Sequence, residues 1–328
     1  MPQKLAVVSI FSGCGGFDLG AKHAGLKIIW ANDIDPFAEE AYKTLLPEVD
    51  FVSGDIRNIR EFPQAEVLIG CYPCTGFSLG ARRRWRNLQE RNLRANKDNF
   101  LYREFLRALR QIQPKYFFVE NVKGMISAED GWFFERQLNG FRRHGYKVKW
   151  AMLNARDFGV AQSRKRIFIV GVRNERGAMA YEFPQPTHGP NGILRYVTLR
   201  DVIWDMERWP CGEYFDYPFH GHYLTRNRKP SWDDLSYTIV ADAHHVPLHP
   251  MGKPMKFVAK DTWAMQGNSN RRLSWRECSL IQGLPQQAFS KFSLAYKYRI
   301  IGNSVPPNLA KALIEPVAKF EALHKMGG

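Results

Sequence analysis

Leu5-Ala-Val-Val-Ser-Ile-Phe11 runs straight into Ser12-Gly13-Cys14-Gly15-Gly16-Phe17-Asp18, an apolar stretch that breaks on a glycine turn. The apolar run reads as a buried strand, and the turn leads into a helix over Asp18–Ala24. Glycines let the backbone close on a ligand, and a helix N-terminus favours an anionic group. The same unit recurs outward along the chain. Lys27–Trp30 is a strand ending at Asn32-Asp33, before a helix from Pro36 to Leu46. Phe51–Val52 leads to Gly54-Asp55, and Val67–Gly70 runs into Tyr72-Pro73-Cys74. Phe100–Gln111 and Phe134–His144 have helical periodicity. Tyr116–Val119, ending at Glu120-Asn121, is a strand, as are Val148–Leu153 and Ile167–Val172. This alternation predicts an α/β fold, a doubly wound, mostly parallel Rossmann-like sheet.

A chain of 328 residues exceeds the common domain size of about 100–200 residues, which calls for more than one lobe. From 174 to 268, proline, glycine, histidine and tryptophan interrupt every periodic run, so a smaller irregular lobe is expected there. It would be inserted between a first domain over 1–173 and a closing segment over 269–328, helical at Ser274–Gln282 and Pro307–His324. The net charge of +15 and pI near 9.6 favour a polyanionic partner, because lysine and arginine displace condensed counterions from phosphate. The N-terminal apolar run is too short for a signal peptide and no stretch suits a membrane span, so a cytoplasmic protein is expected. Five scattered cysteines argue against a disulfide framework. Cys71-x-x-Cys74 has no second ligand pair downstream, so no metal is expected.

Three features carry chemistry. Asp33, closing the second strand after the glycine turn, is placed to accept both hydroxyls of an adenosine ribose, and Asp55 to accept an adenine amino group. Together they point to a nucleoside-containing cofactor. A nicotinamide cofactor is the rival, but Asp18 stands where the third glycine of G-x-G-x-x-G belongs. The third feature is a thiol (Cys74), a carboxyl (Glu120) and guanidinium groups in Gln162-Ser-Arg164-Lys-Arg166, expected to meet along the sheet edge where ligands bind. Charged neighbours there could raise the thiolate fraction of Cys74.

Phe11–Gly16, Pro73-Cys74, Glu120-Asn121-Val122, Gln162-x-Arg164-x-Arg166, Arg272-Leu-Ser-x-Arg276-Glu277-Cys278 with Gln282-Gly283, and Gly302-Asn303-Ser304-Val305-Pro306 resemble the ordered motifs of bacterial DNA cytosine-5 methyltransferases. They span the chain in family order. The resemblance implies S-adenosylmethionine as cofactor. Phe11, Ser12, Gly13, Gly15, Gly16, Asn303 and Ser304 would hold its methionine part with Leu101 nearby, Asp33 its ribose, and Ile34, Asp55 and Ile56 its adenine. Cys74 would add to C6 of a flipped cytosine, Glu120 would serve ring N3, Arg166 would orient Glu120 and the base carbonyl, and Arg164 would support that cluster. Two departures stand out: Thr75 where the family usually has glutamine, and Ile34 where many relatives carry an aromatic residue.

After Cys74 comes a strongly basic run, Arg82, Arg83, Arg84 and Arg86 on to Arg91, Arg94 and Lys97. It is expected to close over DNA phosphates. Thr225-Arg226-Asn227-Arg228 and Ser236–Val240 look like the recognition region of members acting on G/C-only sites such as GGCC, with Arg226 and Arg228 as guanine readers. His244 stands where such relatives carry another arginine. The resemblance thus implies an enzyme acting on double-stranded DNA and a monomer, either the modification half of a restriction system with an endonuclease acting on the same site or a solitary bacterial enzyme. An RNA methyltransferase and a catalytically inactive DNA-binding homologue are the alternatives. The recognition lobe disfavours the first, and intact Cys74, Glu120, Arg164 and Arg166 the second.

Overall fold

Alternate residues of the inner strands part to opposite faces of one seven-stranded sheet. The computed structural model describes residues 4–73, 93–94, 96–175 and 178–326. In chain order its first part is β1 (Ala6–Ile10), α1 (Gly16–His23), β2 (Lys27–Asp33), α2 (Pro36–Leu45), β3 (Asp50–Ser53), β4 (Val67–Gly70), α3 (Tyr102–Ile112), β5 (Tyr116–Asn121), α4 (Trp132–Arg143), β6 (Tyr146–Asn154) and β7 (Lys165–Arg173). The strand order is β3-β2-β1-β4-β5-β7-β6. All pairings are parallel except those of β7, which runs antiparallel to both β5 and β6. The doubly wound, mostly parallel sheet read from the sequence is the one observed.

Val7, Ile69, Phe118 and Val170 face one layer, with Phe17 of α1 and Leu309, Leu313 and Val317 of a long C-terminal helix. Val8, Leu68, Phe117 and Ile169 face the other, with Phe105 and Leu109 of α3 and Phe134, Leu138 and Phe141 of α4. β5 is buried along its whole length, as suits a strand covered on both faces. The order reverses between β1 and β4, whose carboxyl ends therefore flank a crevice.

Beyond β7 the chain is irregular, as expected. Its elements are α5 (Leu199–Ile203), the hairpin β8 (Lys256–Ala259) and β9 (Thr262–Ala264), then α6 (Trp275–Gln282), α7 (Leu294–Asn303) and α8 (Pro307–Met326). Tyr181, past residue 174, is still buried in the first layer, and its hydroxyl donates to Leu313 O at 2.8 Å. Leu199 and Ile203 of α5 share a third core with Trp275, Cys278 and Ile281 of α6 and Ile300 and Ile301 of α7. Neither α5 nor α7 was anticipated from the sequence. α5 is short, though it carries a complete Thr198/Asp201 capping box. α7 is rich in aromatic and β-branched residues, ends on Gly302-Asn303, and its Ser293 cap makes no side-chain hydrogen bond.

The closure of α8 on α1 depends on Gly20. A Cβ there would stand 2.5 Å from both Ala310 Cβ and Pro307 O. Gly20→Ala should therefore destabilise the fold by about 1–3 kcal/mol, the usual scale for overpacking. Thermal unfolding would measure this, and an unchanged midpoint would mean that the α1–α8 contact is loose.

Candidate active site

β1 ends where Ser12 N donates to Asn32 O at 3.1 Å, and Gly15 N closes the turn on Ser12 O at 3.0 Å. Gly15 caps α1 at φ 85°, and a Cβ there would meet the Tyr42 ring at 2.9 Å. Phe11 also lies at positive φ (55°) and sets its ring edge-on to Tyr72. That conformation is uncommon for a bulky residue and gathers at functional sites. A Cβ on Gly16 would fall 2.0 Å from Ser304 Oγ, so the sequence-distant Asn303-Ser304 segment sits directly on the turn.

Asp33 Oδ2 accepts from Gly13 N at 2.8 Å and Oδ1 from Asp35 N at 2.9 Å. Burial pushes its carboxyl upward, against those backbone donors. Asn32, overlooked in the sequence, donates to Val52 O at 2.8 Å and Gly54 O at 2.9 Å, which ties β2 to the segment leading to Asp55. Asp55 is gripped by Arg57, whose Nε lies 2.9 Å from both carboxylate oxygens. That hydrogen bonding holds the Asp55 carboxyl below its ordinary value. Ile56 is buried, Leu101 half-buried, and Ile34 64% exposed beside Asp33. An exposed aliphatic residue here offers a face to a flat ring, and nothing lies within 4 Å of a Cβ built on Gly13. The glycine cradle, the open space at Gly13 and two carboxylates at strand ends fit an adenosine-bearing cofactor with a short charged tail.

Glu120 is the penultimate residue of β5 and is 9% exposed. Arg166 Nε lies 3.0 Å from its Oε1. Burial drives the Glu120 carboxyl up from its ordinary value, while Arg166 and then Arg164 pull it back. The sequence reading placed the 162–166 run on the ligand edge although it precedes its strand. Only the reversal of β7 makes that true: Asn121 pairs with Ile167 and Glu120 with Phe168, so the start of β7 meets the end of β5. Arg164, 1% exposed, donates to Ile239 O and Gly302 O, both at 3.0 Å. Gln162 extends the same tie, donating to Gln282 Oε1 at 2.7 Å and accepting from Ile239 N at 3.0 Å.

Cys71, Tyr72 and Pro73 follow β4 toward the same place. Asn121 Nδ2 reaches Tyr72 O at 3.5 Å, and the nearby Glu120 adds to burial in raising the Cys71 thiol far above its ordinary value. Cys74, Thr75, Arg82, Arg83, Arg84, Arg86 and Arg91 lie outside the described residues. Of the basic run, Arg94 stacks on Trp132 at 4.6 Å and stands 3.6 Å from Glu129, and Lys97 opens a short 3-10 turn.

In the irregular lobe Arg226 is exposed. Arg228 is not. It is 4% exposed, stacks on Tyr223, and donates from Nε to Tyr223 O at 2.7 Å and from Nη1 to His245 O at 3.0 Å. It would have to leave both carbonyls to reach a base edge, so its contacts fit a role in holding the 225–228 run. His244 is half-buried with its ring edge-on to Phe215, and its carbonyl accepts from Arg272 Nε at 3.2 Å. His220, His222 and His245 gather around it, a cluster that the two histidine-bearing stretches at 220–222 and 244–245 could have signalled. Among the described residues no group of side chains has the arrangement of a metal site.

A sheet in this order, with one reversed strand and this cradle at its switch point, defines an S-adenosylmethionine-dependent methyltransferase of Rossmann-like build. Residues 5–319 match the family model described as C-5 cytosine-specific DNA methylase, and the chain belongs to that family. It is thus a DNA cytosine-5 methyltransferase using S-adenosylmethionine. Type II methyltransferase M.BsuRI of Bacillus subtilis is 38% identical, over 97% of this chain and 80% of its own length. Type II methyltransferase M.NgoPII of Neisseria gonorrhoeae is 33% identical over 96% of each. Among solved structures, a putative DNA modification methyltransferase of an E. coli prophage superposes with a TM-score of 0.71 at 18% identity, covering 98% of this chain and 100% of that one. The S. pombe Dnmt2 methyltransferase does so at 0.67 and 17%, covering 98% and 100%. At those identities the likeness is one of fold.

Beneath the cradle, Asp18 is fully buried, accepting from Ser9 Oγ at 2.8 Å and Tyr42 Oη at 2.7 Å. Burial pushes its carboxyl up to about 6 in spite of both hydrogen bonds. The folded state therefore keeps a proton that the unfolded chain releases near pH 4, and stability falls as pH rises through roughly 4 to 6. Asp18→Asn should flatten that part of the curve in denaturant titrations run across the window. Parallel curves for the two proteins would remove Asp18 as the titrating group.

Proposed function

We propose that Cys74 is the nucleophile of this methyltransferase, with Glu120 as the acid at the cytosine ring and Arg166 as the residue that orients it. The observation that carries this reading is the Glu120–Arg166 pair, 3.0 Å apart, where the end of β5 meets the start of β7. Cytosine C5 is a poor nucleophile while the ring stays aromatic. Addition of the Cys74 thiolate to C6 breaks that aromaticity, and a proton held by Glu120 at N3 takes up the developing charge. S-adenosylmethionine supplies an electrophilic methyl group carried on a sulfonium. After C5 has gained its methyl, a base or solvent water takes the C5 proton, the C5–C6 double bond re-forms, Cys74 departs as thiolate and the N3 proton returns to Glu120. The cytosine must leave the duplex stack for any of these contacts to form.

The cofactor assignment carries over with it. Asp33 would hold the ribose, Ile34, Asp55 and Ile56 the adenine, and the Phe11–Gly16 turn with Leu101, Asn303 and Ser304 the methionine end. Residues 174–268 would act as the target-recognition lobe between the catalytic domain and the closing segment, with His244 adjusting the readout at one position. The basic residues Arg82, Arg83, Arg84 and Arg86 would meet phosphates. The names of the bacterial relatives support a place in a restriction–modification system. In that place the chain would act as a monomer in the cytoplasm beside a nuclease of the same specificity.

Cys74→Ala should abolish methyl transfer to duplex DNA while cofactor binding persists. Glu120→Gln should lower turnover by about 10²–10³-fold, the scale for loss of one charge-stabilising group. Single-turnover assays with labelled cofactor read both, and substantial turnover by Cys74→Ala would overturn the assignment. In the lobe, Arg226→Ala should relax specificity at one base pair, by about 1–3 kcal/mol, whereas Arg228→Ala should weaken all sites alike and lower the unfolding midpoint. Methylation of every single-base variant of the mapped site separates the two. Site-selective loss for Arg228→Ala would make it a base reader.

A further inference from the structure

The β8–β9 hairpin takes no part in the site above. All four residues of β8 are exposed, and Phe257 and Val258 are each 57% exposed although neighbours on a strand point to opposite faces. Asp261 turns the hairpin at φ 56°, and Phe257 meets Trp263 edge-on across it. Lys253, Lys256 and Lys260 line it and form no ion pair with any described residue, against the single acidic Asp261. A two-stranded ribbon with both faces wet is marginally stable by itself. Here its base is fastened: Trp263 and Met265 pack on Tyr223, Leu248 and Met255, and Arg228 N donates to Met255 Sδ at 3.3 Å. The ribbon is therefore anchored to the back of the same run that carries Arg226.

We propose that this hairpin is a second DNA contact, laying Lys253, Lys256 and Lys260 along the phosphate backbone beyond the bases that the lobe reads. The inference rests on the reading of residues 174–268 as the target-recognition lobe. Three cations without acidic partners match a polyanion and repel a second copy of the same ribbon. The lysine stems and Phe257 supply apolar surface to lie against the sugar edges, leaving the ammonium groups at phosphate. Backbone contacts of this kind position a protein on the duplex without reading sequence.

The test uses the full chain carrying Lys253→Gln, Lys256→Gln and Lys260→Gln together, with thermal unfolding as the control for folding. Binding is measured by fluorescence anisotropy over a salt series. One duplex carries the site with about two helical turns of flank on each side and another ends close to the site. On the long duplex the variant should bind more weakly, equally for cognate and unrelated sequences. Its log–log salt slope should fall by about 0.9 for each lysine on a phosphate. On the short duplex, variant and wild type should match. Phe257→Ala should weaken long-duplex binding with the slope unchanged. Equal affinity and slope for wild type and triple variant on the long duplex would overturn the proposal. So would self-association of the wild type, seen by sedimentation and lost in the variant, which would assign the hairpin to a protein contact. A wild type that fails to discriminate its site would instead count against the lobe assignment itself.

Discussion

One buried cation ties the irregular stretch after β7, the end of α7 and the start of β7 together. Arg164 is 1% exposed, and its two terminal nitrogens end on Ile239 O and Gly302 O. Charge-assisted hydrogen bonds of this kind contribute about 1.5–3 kcal/mol each, and a buried guanidinium left without them would be strongly destabilising. The tie leaves no room for drift, because a Cβ on Gly302 would stand 2.3 Å from the Val240 carbonyl carbon. Gln162 repeats the connection through Gln282, which itself donates to Ile301 O at 2.8 Å. Both residues lie in the stretch that leads into Arg166. The segment that supplies the partner of Glu120 is thus the segment that fastens the irregular stretch to the sheet.

The reversal of β7 is what lets one stretch do both. In an all-parallel sheet the start of a strand lies at the edge away from the ligand, so residues 162–166 would have been remote from Glu120. Antiparallel pairing with β5 brings them to it. Glu120 then sits between opposing influences. Loss of water favours its protonated form, and two guanidinium groups favour the carboxylate, with burial the stronger. A carboxyl raised in this way holds its proton more readily than an exposed one, which suits a ring nitrogen gaining electron density.

The strands and the residues at their carboxyl ends were legible in the sequence, because buried parallel strands are short apolar runs closed by glycine or polar residues, whereas their order and the reversal of β7 come from the pairing. Asp33 and Glu120 could be placed by such positions, while the Ser304 segment, which follows a helix, was marked only by the family resemblance. Groups that act through tertiary contact were not legible. Tyr42 shapes the cradle by pressing on Gly15, and Arg57 occupies Asp55, yet neither stands at a strand end or in a marked motif. α7 was missed because its sequence has weak helical propensity and is held by packing against α6. Arg228 shows a related limit: an arginine in a polar run looks exposed until the carbonyls around it are known.

That last point changes how the positive charge is read. A lobe with little regular structure leaves many carbonyls without ladder partners, and buried carbonyls must be satisfied. Arginines do this here. Arg228 serves Tyr223 O and His245 O, and Arg272 serves His244 O, Phe215 O and Tyr217 O. Arg271 serves Arg208 O and Arg272 O while meeting Glu277 through both terminal nitrogens, at 2.8 and 2.7 Å. These guanidinium groups stand in for the missing strands, each bonding two or three carbonyls from one side chain. Part of the net charge of +15 is therefore architecture and contributes to DNA only through space. The cations free to displace counterions are those at the surface. A polyanion-binding face in such a lobe is better located by exposed lysines than by its arginine content.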